Sequence, residues 1–471
     1  MPQRRSHVAP SAAQTELASA LAALRESLDG PVDFPAEVLA EAERSTATAP
    51  VLDLREIPFA TLDPEGSRDL DQAFHLERAG SGFTVRYAIA DVPGFVIPGG
   101  AVDAEARRRG QTLYAADGRI PLHPAVLSED RASLLPDVDR AALVWTFALD
   151  SAGVVTDFRL ERALIRSRAQ LDYTTTQQTL DRGEEGPATL LPVIGALRLE
   201  QERRRGGASL NLPDEEVVRA DDGTYAIERR SPLPVEEWNA QLSLMTGMAA
   251  ASLMLDAGVG ILRTMPEPDD AAFDTFRHQT EALGRPWTTG TYGEYLRGLD
   301  RSDPMTLPVL EAAASLFRGA GYLVFDGEAP RDAVQAAIAA PYAHATAPLR
   351  RLVDRWVLAI CLAAANGEPA PEWARASLSE LPALMQESGQ RASRLNAATV
   401  NAVEAALLTP LVGTTIDATV IELRGERASI QIAEPAVTAT APLPADAKPG
   451  DIVRLRVVRA DIARGEVEFA L

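Results

Sequence analysis

Between Thr61 and Gln72 the chain reads Thr61-Leu-Asp-Pro-Glu-Gly-Ser-Arg-Asp-Leu-Asp-Gln72, so Asp63, Glu65, Asp69 and Asp71 fall within nine residues. Like charges at that density repel one another unless a cation neutralises them. Mg²⁺ takes carboxylate oxygens, keeps several waters and is commonly shared with substrate phosphates. Phosphate chemistry at an acidic loop is therefore one reading. The other is a solvated turn whose aspartates cap a helix or close Asx turns, and composition alone leaves both open. A calcium loop of the EF-hand kind does not fit. Gly66 takes the fourth place from Asp63, and Phe74 stands where the twelfth-place glutamate belongs.

A phosphate-handling site also needs positive charge, and the formal net charge of −21 argues against nucleic acid when taken alone. What matters is where the cations sit. Nearly all of them are arginine, Lys448 being the single lysine, and they gather at Arg107 to Arg109, at Arg203 to Arg205, and at Arg350, Arg351 and Arg355. A locally basic channel in an acidic protein is compatible with this pattern, as are three solvated faces.

The elements around these residues fall into three stretches. Leu17, Leu21, Leu24 and Leu28 recur at helical spacing, and a second short helix is expected after Pro35 through Val38, Leu39 and Ala42. From Val51 onward the apolar runs shorten to strand length, as at Phe83 to Ile89 and Leu143 to Leu149. Helices dominate again from about Val235 to Leu408, for example Leu242 to Leu255 and Leu352 to Ala365, so the middle of the chain reads as one α+β body. After Thr409-Pro410 five strands are expected: Thr414 to Glu422, Arg427 to Ile432, Val437 to Leu443, Ile452 to Val458 and Glu466 to Leu471. Five short strands in so short a stretch suggest a small OB barrel. Phe469 is the one aromatic residue in it, so stacking platforms for bases are poor. Its contribution is expected to be electrostatic, through Arg424, Arg427, Arg454 and Arg456, or structural.

The acidic segment resembles the signature of the RNase II (RNB) family, in which isoleucine-or-leucine-Asp precedes an Asp-x-Asp-Asp cluster. The likeness continues in order through Ile89-Ala-Asp-Val92, Arg109-Gly-Gln-Thr-Leu-Tyr114, Arg119-Ile-Pro-Leu122, Ser133-Leu134 and Tyr342-Ala-His-Ala-Thr-Ala-Pro-Leu-Arg-Arg351. It covers roughly residues 50 to 405, and the C-terminal barrel resembles the RNA-binding barrel that follows in the same family. The resemblance implies a catalytic domain over residues 49–408 and an OB-fold RNA-binding domain over 409–471. Residues 1–48 then form a small helical element in place of the family's cold-shock barrels, a helix-turn-helix being one option.

The resemblance also assigns roles. Asp63, Asp69 and Asp71 match the family's catalytic aspartates and would hold Mg²⁺, or Mn²⁺, together with Gln72, which stands where the family has a fourth acid. A glutamine carbonyl can coordinate Mg²⁺ but brings no charge. Arg350 matches the active-site arginine, whose planar guanidinium suits charge developing on a scissile phosphate. Tyr114 matches the aromatic that packs on a terminal base, and Tyr173 the position that meets the terminal sugar, where the 2′-OH separates RNA from DNA. Gln241 falls at the position partnering Tyr173, in a loosely aligned stretch from Trp238 to Met248, and Arg351 is a further RNA contact. The implied activity is 3′ to 5′ hydrolysis of single-stranded RNA to nucleoside 5′-monophosphates. The alternative is an RNA-binding protein of weakened catalysis, for which Gln72 and the overall acidity speak.

One cysteine, Cys361, excludes an intramolecular disulfide and the multi-cysteine zinc patterns. No signal-peptide pattern opens the chain, and the apolar run around Ala359 to Ala365 is far short of a membrane span. A cytoplasmic monomer without a membrane partner is the expectation.

Overall fold

The computed structural model describes residues 4–7, 12–27, 33–50, 52–116, 118–208, 214–219, 225–300, 303, 306–425, 427–432, 435, 437–444 and 446–471. Its centre is a six-stranded sheet. In order the strands are Leu52–Asp53, Val155–Asp172, Phe59–Asp63, Gln72–Ala79, Gly82–Ala90 and Asp139–Leu149. The long strand Val155–Asp172 pairs antiparallel with Asp139–Leu149 along its first part and parallel with Phe59–Asp63 along its last, so the sheet closes on itself.

Closure explains the continuous apolar runs. Successive side chains of a strand point to opposite faces. Along Gly82–Ala90 the large residues Phe83, Val85, Tyr87 and Ile89 enter the main core with Leu143, Trp145 and Phe147, while Ala88 and Ala90 enter a second core with Val38 and Ala42. Both faces are buried toward the end of the strand, from Tyr87 to Ala90, whereas Thr84 and Arg86 on the second face are only partly covered and Arg86 pairs with Glu77.

Around this barrel pack the helices Pro234–Ala257 and Leu352–Ala365, whose residues, Trp356 among them, complete the main core. Two strands, Val259–Thr264 and Gly321–Asp326, pair within the stretch expected to be mainly helical. The helix Leu381–Leu408 leaves the body and ends inside a third core, where Val403, Ala406 and Leu407 meet the C-terminal sheet. That sheet has the five strands anticipated, Thr415–Arg424, Arg427–Ile432, Val437–Pro442, Ile452–Asp461 and Glu466–Ala470. Within it Arg427 donates to the Thr440 carbonyl and Arg454 faces Asp417 at 3.4 Å, both solvent-exposed; the side chain of Arg424 lies outside the described residues.

The front of the chain differs from a purely helical element. A strand, Arg4–His7, pairs with Tyr225–Arg230. The two expected helices exist, Ala12–Glu26 and Ala36–Arg44, but they enter different cores. Leu17 and Leu21 join the barrel and the end of Leu381–Leu408, whereas Val38 and Ala42 back the central sheet. Each apolar stripe is too narrow to bury the other and finds a larger partner instead; Leu39 remains exposed and Leu28 lies outside the described residues. Among the described residues the two helices share no core.

Candidate active site

The acidic segment spans the end of one barrel strand and the start of the next. Asp63 is the last residue of Phe59–Asp63, and Gln72 is the first of Gln72–Ala79. Between them the chain turns at Gly66, whose φ of 79° favours glycine, with Ser67 N donating to Pro64 O. Ser133 pins the rest: its Oγ donates to Arg68 O at 2.6 Å and accepts from Leu70 N at 3.0 Å. Asn239 Nδ2 donates to Leu62 O from the other side. A segment that repels itself is thus held by neutral hydrogen bonds from its neighbours.

The segment 346–354 closes over it. Leu349 N donates to Asp71 Oδ1 at 2.7 Å, and Gln72 Nε2 donates to the Thr346 carbonyl. Asp354, fully buried, accepts from Ala347 N and from both Nε and Nη2 of Arg351. That carboxylate fixes the turn which carries Arg350 outward, with Nε of Arg350 3.5 Å from Asp71 Oδ2 and its side chain 45% exposed. Thr112 N donates to Arg350 O and Leu352 N to Gly110 O, tying the same turn to the strand that bears Tyr114.

These elements enclose a cleft of about 640 Å³ lined by Asp63, Asp69, Asp71, Gln72, Tyr114, Arg119, Tyr173 and Arg350. Seven of the nine residues singled out in sequence for this site therefore share one cavity. Gln241 and Arg351 do not line it. Gln241 is 2% exposed and donates to Glu202, and Arg351 is spent on Asp354. The residue of this helix beside Tyr173 is Asn239, whose side chain pulls the Tyr173 hydroxyl back down against the upward push of burial. At about 100° per residue a two-residue slip turns a helix by about 200°, so Gln241 faces away from where Asn239 points. The loose stretch between Trp238 and Met248 gave no means to fix that phase.

The arginine clusters also divide. Arg107 pairs with Asp103 and Glu380, Arg108 and Arg109 with Glu105, Arg203 and Arg204 with Glu200, and Arg355 with Asp103. Arg350 is the member that lines the cleft, joined there by Arg119, to which the sequence motif attached no role. Arg119 Nη1 donates to Asp69 Oδ1 at 2.5 Å, and Nη2 faces Glu129 at 2.7 Å.

The electrostatics are those of carboxylates short of positive charge. Burial pushes the Asp63 carboxyl up to about 7, against the pull of Arg350 and with the push of Asp69. Burial likewise holds Asp71 well above the usual carboxylate range, although Arg350 and the Leu349 N–H oppose it. Asp63 Oδ2 is buried with no hydrogen-bond partner. Among the described residues, no three His, Cys, Asp or Glu side chains converge as a ready cage. The reason is visible: Asp69 is turned to Arg119, Asp71 to Leu349 and Arg350, and Gln72 to Thr346. The orphaned oxygen and the two uncompensated carboxyls nevertheless fit a hard cation with oxygen ligands.

Comparison with known proteins bears on the whole arrangement. Residues 51–366 match the RNB domain, and residues 414–471 match the RNase II-type exonuclease C-terminal S1 domain. Ribonuclease R of Escherichia coli is 29% identical over 327 residues, covering 65% of this chain and 39% of that protein. The chain thus spans about two fifths of the length of this relative. Mycoplasma genitalium RNase R, solved with ribose-methylated single-stranded RNA, superposes with a TM-score of 0.86 at 17% identity, over 97% of this chain and 78% of that one. Yeast Ssd1, described as a pseudonuclease, superposes with a TM-score of 0.66 at 18% identity, over 91% of this chain and 55% of that one. With two thirds of its length matched to the domain and the acidic cleft inside that span, the chain belongs to the RNB family.

Proposed function

We propose that this protein is a 3′ to 5′ exoribonuclease that hydrolyses single-stranded RNA to nucleoside 5′-monophosphates. The observation that carries the reading is the cleft itself, in which three aspartates and Arg350 share one wall system with Tyr114 and Tyr173. Tyr114 is solvent-exposed and offers a π face to a terminal base of any identity. Tyr173, on the wall of the same cleft, is the group we assign to the ribose hydroxyl of the terminal nucleotide. Arg350 reaches toward Asp71 with its guanidinium half-exposed, positioned to stabilise charge that grows on a scissile phosphate. Asp63, Asp69, Asp71 and the Gln72 carbonyl are the residues that would hold Mg²⁺, with Mn²⁺ as a substitute. A bound divalent ion would supply an activated water and Lewis-acid stabilisation of the leaving 3′ oxygen. Asp71 keeps the turn at Leu349 and Arg350 in register with the acidic strand, so its carboxylate links the two halves of the site.

Residues 49–408 would be the catalytic domain and 409–471 the RNA-binding barrel, in a cytoplasmic monomer. No helix among the described residues is long and apolar enough to cross a membrane, and Cys361 is buried.

A second reading, RNA binding without hydrolysis, is favoured by two features, the missing charge at Gln72 and the engagement of Asp69 by Arg119. One assay separates them. Release of AMP from a short oligoadenylate with Mg²⁺, none with EDTA and none from Asp71→Asn, which should still bind the strand, supports the hydrolase. Retained binding with no AMP under any metal condition would leave the second reading standing.

A further inference from the structure

Arg119 and Tyr114 lie on paired strands, Gly118–Ile120 and Leu113–Ala115, directly opposite each other in the register. Residues so paired project from the same face of a hairpin. The hairpin is backed by Leu113, Ile120 and Leu395, which are buried, so the two polar tips are both directed into the cleft. There Arg119 bridges Asp69 and Glu129, Nη1 to the first and Nη2 to the second. Its side chain is partly solvent-accessible, unlike the fully enclosed Arg355.

We infer that Arg119 is an internal cation that occupies Asp69 in the free protein and must be displaced before a divalent ion can use that carboxylate. This rests on the reading of Asp69 as a metal-holding residue. Three aspartate charges face Arg350 and Arg119 in this cleft, and Gln72 adds none. With Asp69 taken, the aspartates left for an ion are Asp63, whose Oδ2 is buried without a hydrogen-bond partner, and Asp71, which already accepts from Leu349 N and faces Arg350. Arg119 therefore acts as a positioning residue that lowers the affinity of the free site for metal. Glu129 gives the released guanidinium a second anchor, so that displacement is a pivot and not an expulsion. The pivot leaves the guanidinium beside Tyr114, on the face where the terminal nucleotide is proposed to lie. Binding of metal and release of Arg119 toward an RNA phosphate would then be one linked event.

The test is direct Mn²⁺ binding to the metal-stripped full chain, followed by the electron paramagnetic signal of free Mn²⁺, with no RNA present. Arg119→Gln should bind Mn²⁺ about tenfold more tightly than the wild type, inside the ~5–150-fold range that couplings between sites usually span. Arg119→Lys, which keeps the charge, should stay close to the wild type. Mn²⁺ should also raise the melting temperature of Arg119→Gln by more than that of the wild type. Equal affinity of Arg119→Gln and wild type, with Asp69→Asn weakening both, overturns the inference while the metal site stands. Tightening in Arg119→Lys equal to that in Arg119→Gln overturns it too, since charge would not be the cause. If Asp69→Asn changes Mn²⁺ affinity in neither background, the metal reading of Asp69 itself fails.

Discussion

Arg350 and Arg355 lie five residues apart in one basic cluster, and their surroundings differ in a way that a pair of alanine substitutions should expose. Arg355 is 1% exposed, donates to Asp103 at 2.5 Å and to the Val96 carbonyl, and lies against the rings of Trp356 and Trp373. Removing it leaves Asp103 buried with its main counter-ion gone, although Gly99 N and Arg107 remain as donors. Breaking a buried pair from one side costs about 3–5 kcal/mol. Against the roughly 5–15 kcal/mol that hold a domain together, that is a large fraction. Arg350 is half-exposed, and its described ion pair is a 3.5 Å approach to Asp71. Arg350→Ala should therefore change unfolding free energy by about 0.5 kcal/mol or less, the range of surface substitutions. Its hydrolysis rate should fall about 10²–10³-fold, as for loss of one donor to transition-state charge, with a smaller loss of RNA affinity. Urea unfolding followed by circular dichroism, beside AMP release from a labelled oligoadenylate, reads both quantities. The reasoning is refuted if Arg355→Ala unfolds at the wild-type urea concentration but loses activity, or if Arg350→Ala is the variant that unfolds early.

Three further outcomes are expected. His123 is buried, and burial, with Arg355 and Arg109 nearby, depresses its imidazole to about 3; because the unfolded chain takes up its proton near 6.5, this group's contribution is present above pH 6.5 and is lost as pH falls toward 3, with a ceiling of about 5 kcal/mol at ~1.4 kcal/mol per pH unit. His123→Asn should flatten the acid limb of stability between pH 6.5 and 4 in urea titrations, and an unchanged limb would show that other groups carry it. Gln72→Asp should lower the Mg²⁺ concentration for half-maximal rate, yet cost about 1–3 kcal/mol because the Thr346 carbonyl loses its donor; a raised Mg²⁺ requirement would count against Gln72 as a metal-holding residue. Leu17→Ala should destabilise by about 2–5 kcal/mol, since Leu17 is 0% exposed in the core shared by the barrel and the long helix; a loss below 1 kcal/mol would show that the N-terminal helix is not part of that core.

Much of the molecule is legible along the chain because its signals are local. The five barrel strands alternate and are punctuated by turns, so their period survives without tertiary information. The acidic segment is legible because its residues are neighbours in sequence, and Arg350 because it sits in a continuous motif near Leu349 and Arg351. What spacing cannot convey is which face an element turns inward when both faces are buried. The helix Pro234–Ala257 carries apolar and small residues around its whole circumference, so nothing local distinguished Asn239 from Gln241 as the neighbour of Tyr173. The closing of the central sheet was equally hidden, because it depends on one long strand meeting partners at both ends.

Sequence by itself determined the residue types of the cleft, the strand count of the C-terminal barrel and the membership of the acidic run, all set by covalent neighbours. Tertiary structure decided how the charge is spent. Arg107, Arg109, Arg351 and Arg355 look like Arg350 on paper, but each is held at 3.3 Å or less by a carboxylate from an adjacent turn or another part of the fold, whereas Arg350 approaches Asp71 only to 3.5 Å. Arg119 and Asp69, fifty residues apart, meet because a hairpin and a loop are packed against the same cleft. Coulomb energy depends on distance and burial, neither of which is a property of a residue's place in the chain, so the pairing of charges belongs to the fold.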